Sequence, residues 1–180
     1  MGHLIEVTGT EEIAPEYQDG PIGRLLEYHN LDRPFDAYDR ASLLVGMCMD
    51  NRKHLRVPEN FAYIIRTAGA NLRCCEFNVS YAIAVGGVRA IALIGHSQCG
   101  MVALDSRREQ FIQGLVDNAG WTRELSEAHF EHFEPLFGLG DEIKTVVSET
   151  MRLRTRYPGI QIAPLFYRIE DKRLYLIDET

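Results

Sequence analysis

Apolar residues along this chain fall into short continuous runs that alternate with amphipathic segments. "SLLVGM" at 42–47, "FAYIIRTAG" at 61–69 and "VRAIALIGH" at 88–96 are mostly apolar and bounded by polar residues or glycine. Runs of that length predict buried strands. "PIGRLLEYHN" opens on Pro21 and spaces Ile22, Leu25, Leu26 and His29 along one face, which predicts a helix. "EFNVSYAIAVGG" predicts another, closed by Gly86 and Gly87. "SQCGMVALDSRREQFIQGL" is expected to start a helix directly after the third strand, with two more at "TRELSEAHFEHFEPLF" and "DEIKTVVSETMRLRTRYPG". The last has acids at its start, arginines in its last turn and Pro-Gly beyond. "IQIAPLFYRI" and "RLYLIDE" flank Glu-Asp-Lys and predict a C-terminal strand pair. Residues 1–20 read as an irregular arm, and "DRPFDAYDRA" as a loop.

Apolar strands alternating with helices predict an α/β fold: a mostly parallel central sheet flanked by helices, with the C-terminal strand pair added. The 180 residues show no internal repeat and suit a single domain, 1–180, in which 1–40 form an N-terminal arm and helix. In such sheets ligands gather outside the carboxyl ends of the strands. Cys48 is expected just past the first strand and His96 just past the third. Neighbouring strands lie about 4.8 Å apart, so the two would converge on one spot if their strands pair.

Composition works mainly by exclusion. The formal charge of −7 and the lack of a basic stripe argue against nucleic acid. Arg152, Arg154 and Arg156 read as a solvated helix end favoured by the helix dipole. No apolar run reaches the roughly 18 residues of a membrane span. The acidic start has no leader-like apolar core, and Glu6 stands where myristoylation needs Ser or Thr. A cytoplasmic protein is expected, with thiols reduced. Its four cysteines are then ligands, nucleophiles or core residues rather than a disulfide framework.

Candidate chemistry centres on "IGHSQCGM" and "VGMCMDNRK". The first holds His96 and Cys99 between Gly95 and Gly100, glycines that let a backbone turn beside a bulky centre. Cys99 is expected near a helix N-terminus, where the dipole favours thiolate. Together with Cys48 these residues form a set of two sulfurs and one nitrogen. Zinc takes such ligands tetrahedrally, and three protein ligands leave a position open. Cys74 and Cys75 lack a second C-x-x-C and read as core or helix-start residues. Asp50 and Arg52, taken alone, also fit a plain turn closed by an ion pair.

"CMDNR" at 48–52 followed by "GHSQCGM" at 95–101 resembles the beta-class carbonic anhydrases, whose pattern is Cys-x-Asp-x-Arg and then His-x-x-Cys. "IIRTAGANL", "GMVALD" and "RLYLIDE" are similar to further stretches of the short archaeal-type members. Residues 40–115 carry the resemblance best. Thr67 departs from it, standing where Asn is usual, and so does Ala70, which precedes Asn71 where Gly is followed directly by Asn. The resemblance implies Cys48, His96 and Cys99 as zinc ligands and Asp50 with Arg52 as a catalytic dyad. It implies hydration of carbon dioxide to bicarbonate by a metal-bound hydroxide that the dyad orients. It also implies a homodimer or a dimer of dimers. A hydrolase of carbonyl sulfide or carbon disulfide on the same site is the alternative, and a non-catalytic zinc module a third reading. His54 is close enough to relay a proton but reads as a surface residue; His129 and His132 read as helix-face residues. Phe61, Tyr63 and Tyr81 are expected in the core.

Overall fold

The computed structural model describes residues 3–179. Six strands form one sheet: β1 (His3–Glu6), β2 (Leu43–Cys48), β3 (Ala62–Thr67), β4 (Ala90–His96), β5 (Gln161–Arg168) and β6 (Arg173–Asp178). Their order across the sheet is β1-β6-β5-β4-β2-β3. The three central pairings, β3 with β2, β2 with β4 and β4 with β5, are parallel. The C-terminal hairpin β5–β6 is antiparallel, as the sequence pattern predicts.

The helices are α1 (Pro15–Gln18), α2 (Pro21–Asn30), α3 (Glu76–Ala84), α4 (Arg108–Ala119), α5 (Arg123–Phe137) and α6 (Glu142–Arg156). Local chemistry sets their ends. Pro21 opens α2, the Thr122 hydroxyl accepts from Leu125 N–H at the start of α5, and Asp141 accepts from Lys144 N–H at the start of α6. Strands β2 and β4 are buried at every position, which is why they read as unbroken apolar runs. One core cluster packs α2 against the face carrying Val45, Met47, Ile94 and Leu165. The other packs α3 and α6 against the face carrying Leu44, Ile91, Leu93 and Phe166.

Several expectations are corrected. The first 20 residues are not an irregular arm: β1 pairs antiparallel with β6, and α1 follows. The strand forms because β6 would otherwise be an unpaired edge. Strand β3 is at the opposite edge and is not buried. Tyr63 and Ile64 on it are exposed, as is Tyr81 on α3, whereas Phe61 is in the core. Arg152, Arg154 and Arg156 are not simply solvated: they pair with Glu149, Glu179 and Glu76. Cys75 does stand at the start of α3, but Cys74 is exposed rather than core. His54 is exposed, as expected. No helix among the described residues is long and apolar enough to cross a membrane.

Candidate metal centre

Strands β2 and β4 are neighbours in register, Met47 beside Ile94, so their carboxyl ends deliver Cys48 and His96 to the same edge. Both are the last residues of their strands rather than the residues after them. The chain then turns back through Ser97 and Gln98 to bring in Cys99. Gln98 adopts φ +58°, the left-handed region that non-glycine residues rarely occupy. The ligand atoms of Cys48, His96 and Cys99 lie within 4.8 Å of one another, and all three side chains are buried. The atoms that close within this distance include no carboxylate oxygen.

The donors suit a metal ion. His96 Nδ1 lies 2.9 Å from the carbonyl oxygen of Ser97. A carbonyl only accepts, so Nδ1 carries the hydrogen and Nε2 presents its lone pair. That Nε2 is buried with no hydrogen-bond partner, an arrangement that a metal would satisfy. The two sulfurs share charge unequally. Cys48 accepts from the Cys99 thiol, and this contact first, then the N–H groups of Asp50 and Gly69, bring its pKa well below the ordinary thiol value against the cost of burial. Cys99 is pushed up, first by that same contact and then by burial. The pair therefore holds one proton where a metal would displace it.

The expected helix N-terminus beside Cys99 is absent. Residues 97–103 form turns, a short 3-10 segment (Leu104–Arg107) follows, and α4 begins only at Arg108. The expected glycine roles change as well. Gly95 sits inside β4, where a Cβ would lie 2.5 Å from Val146 Cγ2, so it is needed for the close approach of α6 rather than for a sharp turn. Gly100 has open space around it.

Asp50 and Arg52 flank this cluster on the segment leaving β2. Arg52 Nε lies 3.1 Å from both carboxylate oxygens of Asp50, and Nη2 lies 2.6 Å from Oδ2. The Arg52 N–H adds a bond of 2.9 Å to Oδ1. These contacts, the guanidinium first, hold the Asp50 carboxyl far below the usual carboxylate range. The other face of Arg52 donates to Gln98, to its Oε1 at 3.2 Å and its carbonyl at 3.0 Å. Gln98 in turn donates to Glu170, which also accepts from the Ser97 hydroxyl.

Three parts of the site escape sequence reasoning. Gln98 is one, since nothing in His-x-x-Cys marks the residue between as a brace. Lys53 is another, a lysine buried completely beside the site. The third is an apolar cavity of about 390 Å³ whose lining includes Met49, Ala68, Met101, Phe111, Phe133 and Phe137. Met49 and Met101 are near neighbours in sequence of Cys48 and Cys99. The spacing of His129, Phe133 and Phe137 along α5 was the available signal for that wall. His129 stacks on Phe111 and meets Trp121 edge-on.

The family profile described as "Carbonic anhydrase" matches residues 45–168. Comparison with curated proteins finds no match. Among solved structures, a beta-carbonic anhydrase of Trichomonas vaginalis superposes with a TM-score of 0.63 at 19% identity, covering 83% of this chain and 91% of that one. A carbonic anhydrase of Streptococcus mutans gives 0.62 at 18% identity, covering 92% and 100%. A carbon disulfide hydrolase in its apo form gives 0.56 at 22% identity, covering 93% of both chains. Likenesses at such identities speak to the fold.

Proposed function

The chain belongs to the beta-class carbonic anhydrase family, and on that premise we propose that it hydrates carbon dioxide to bicarbonate at a zinc ion held by Cys48, His96 and Cys99. The observation that carries this reading is the bare, buried Nε2 of His96 facing two buried sulfurs. Two thiolates and an imidazole suit zinc, a borderline-soft ion, over the hard oxygen-seeking cations. Bound zinc supplies a Lewis acid that lowers the pKa of water to about 7.

The chain's own residues do the rest. Asp50, ionised, can only accept hydrogen bonds. It accepts from the attacking water and so turns an oxygen lone pair toward the substrate carbon. Arg52 occupies both carboxylate oxygens of Asp50, which keeps the acid ionised and restrains it from becoming a ligand itself. With Asp50 so held, Cys48, His96 and Cys99 are the residues that would hold the metal. Thiolate ligands offset the metal's charge, so help from neighbouring residues matters more here than at a site of three imidazoles. The apolar cavity beside Met49 and Met101 offers a small uncharged substrate a dry approach.

That same cavity suits a second reading equally, hydrolysis of carbonyl sulfide or carbon disulfide, which like carbon dioxide are small, linear and uncharged. Carbon dioxide hydration compared with sulfide release from carbonyl sulfide, measured on one zinc-loaded sample, decides between the two.

A homodimer, alone or paired further, accompanies this reading. Strand β3 is an open edge, and Tyr63, Ile64, Phe77 and Tyr81 line a groove of about 290 Å³ along it. Phe77 is 80% exposed, more than a lone chain in water accommodates comfortably. A cytoplasmic, reducing setting suits thiolate ligands. The partner is a small molecule; nucleic acid and membrane have no part in the proposal.

A further inference from the structure

Lys53 has no exposed surface at all, and among the described residues it is the one Lys or Arg side chain that is buried. A buried ammonium costs several kcal/mol unless its surroundings repay it. The usual repayment is a carboxylate, but the one nearby belongs to Arg52. Lys53 Nζ instead donates to the main-chain carbonyl of Asp50 at 3.0 Å. Arg66, reaching over from β3, donates to the carbonyls of Cys48 at 3.3 Å, Asp50 at 3.4 Å and Lys53 at 3.2 Å. Two cations therefore converge beneath the segment that carries a sulfur ligand at one end and the dyad in its middle.

A core-filling leucine or methionine would be cheaper to bury here, so the ammonium calls for a reason beyond packing. The main chain supplies one: Nζ on the Asp50 carbonyl, with Arg66 on the carbonyls at either side, fixes the turn that sets the Asp50 carboxylate relative to Cys48.

We propose that Lys53 is a positioning residue of the metal centre, whose buried ammonium pins the main chain at Asp50 and so fixes the segment that runs from Cys48 to the dyad. The proposal rests on the zinc reading above. It assigns Lys53 no contact with substrate; it acts through the main chain at Asp50.

The test compares native full-length chain with Lys53→Met and Lys53→Gln. Zinc affinity is read by competition with a chromophoric chelator, kcat and KM by carbon dioxide hydration, and the metal-free melting temperature alongside. Expected are a zinc affinity weaker by about 10- to 100-fold and a kcat lowered on the same scale with KM unchanged. The metal-free Lys53→Met chain should melt no lower than native, since an apolar side chain replaces a buried charge. Native zinc affinity and kcat in Lys53→Met would overturn the proposal and leave Lys53 as filler. The proposal remains testable if both variants fail to fold. The ¹⁵N signal of Lys53 in zinc-loaded native protein at neutral pH should be that of an ammonium, and a neutral amine would overturn it. Failure of the native chain to bind zinc is a separate result, which removes the zinc reading itself.

Discussion

Arg52 holds Asp50 by both carboxylate oxygens, 3.1 Å from each through Nε and 2.6 Å from Oδ2 through Nη2. Nη1 and Nη2 also donate to Gln98, so the guanidinium is fixed from two sides although it is partly exposed. An ordinary surface pair contributes little to stability. A bidentate pair braced by a third residue has geometry to offer instead.

Asp50→Asn is expected to keep its zinc, because Asp50 is outside the ligand cluster. Its kcat should fall by about 10- to 100-fold with little change in KM. Metal analysis beside steady-state hydration kinetics checks both halves. Unchanged turnover would remove Asp50 from the catalytic machinery, and no turnover in the native protein either would favour a non-catalytic zinc module.

His96→Ala removes the unpartnered Nε2 donor. The purified variant should lose its zinc, while its fold persists, since the sheet is held by the core clusters on its two faces. Metal content and far-ultraviolet circular dichroism report the two outcomes separately.

Gly95→Ala tests how closely α6 approaches β4. The new methyl would stand 2.5 Å from Val146 Cγ2. A loss of about 1–3 kcal/mol in urea unfolding is expected from overpacking. Adding Val146→Ala should recover part of it, because the clash is with that side chain.

His29 supplies a pH dependence away from the metal. Its Nδ1 accepts from Arg56 N–H at 3.0 Å and its Nε2 donates to the Lys172 carbonyl at 2.9 Å, which fixes the neutral ring. Burial, the largest cause, lowers its pKa below the ordinary value of about 6.5. The unfolded chain therefore takes up the proton at higher pH than the folded one. The contribution of His29 to stability is complete above about pH 6.5 and is lost as the pH falls toward the folded-state pKa. Denaturant unfolding from about pH 7.5 down to 5 should show that decline, and His29→Gln should flatten it.

Ile64→Lys on the open edge β3 and Phe77→Glu on α3 place charges in the apolar groove. Each should shift the protein to monomer in sedimentation velocity without unfolding it. A native chain that already sediments as a monomer would remove the homodimer from the proposal.

Much of this architecture was legible in the sequence, for a physical reason. Strands buried on both faces carry unbroken apolar runs, so β2 and β4 announce themselves, and the motif residues at their ends are placed as soon as the strands are. Strand β3 misled because its apolar residues cover an outer edge rather than the core. Strand β1 was missed because four half-exposed residues carry no pattern and gain their strand geometry from β6. At the site, Cys48, His96 and Cys99, which the fold brings together, and Asp50 with Arg52 were legible as residue types at fixed spacing. Lys53, Gln98 and the α5 aromatic wall were not, because their placement depends on burial and on contacts across the fold.

Carbon dioxide hydration followed by stopped flow, on native protein loaded with zinc and again after chelation, addresses the central claim most directly. The account predicts catalysis that rises with pH through about 7, disappears when the metal is removed and returns with zinc. Zinc-replete protein that fails to hydrate carbon dioxide even at alkaline pH would contradict it.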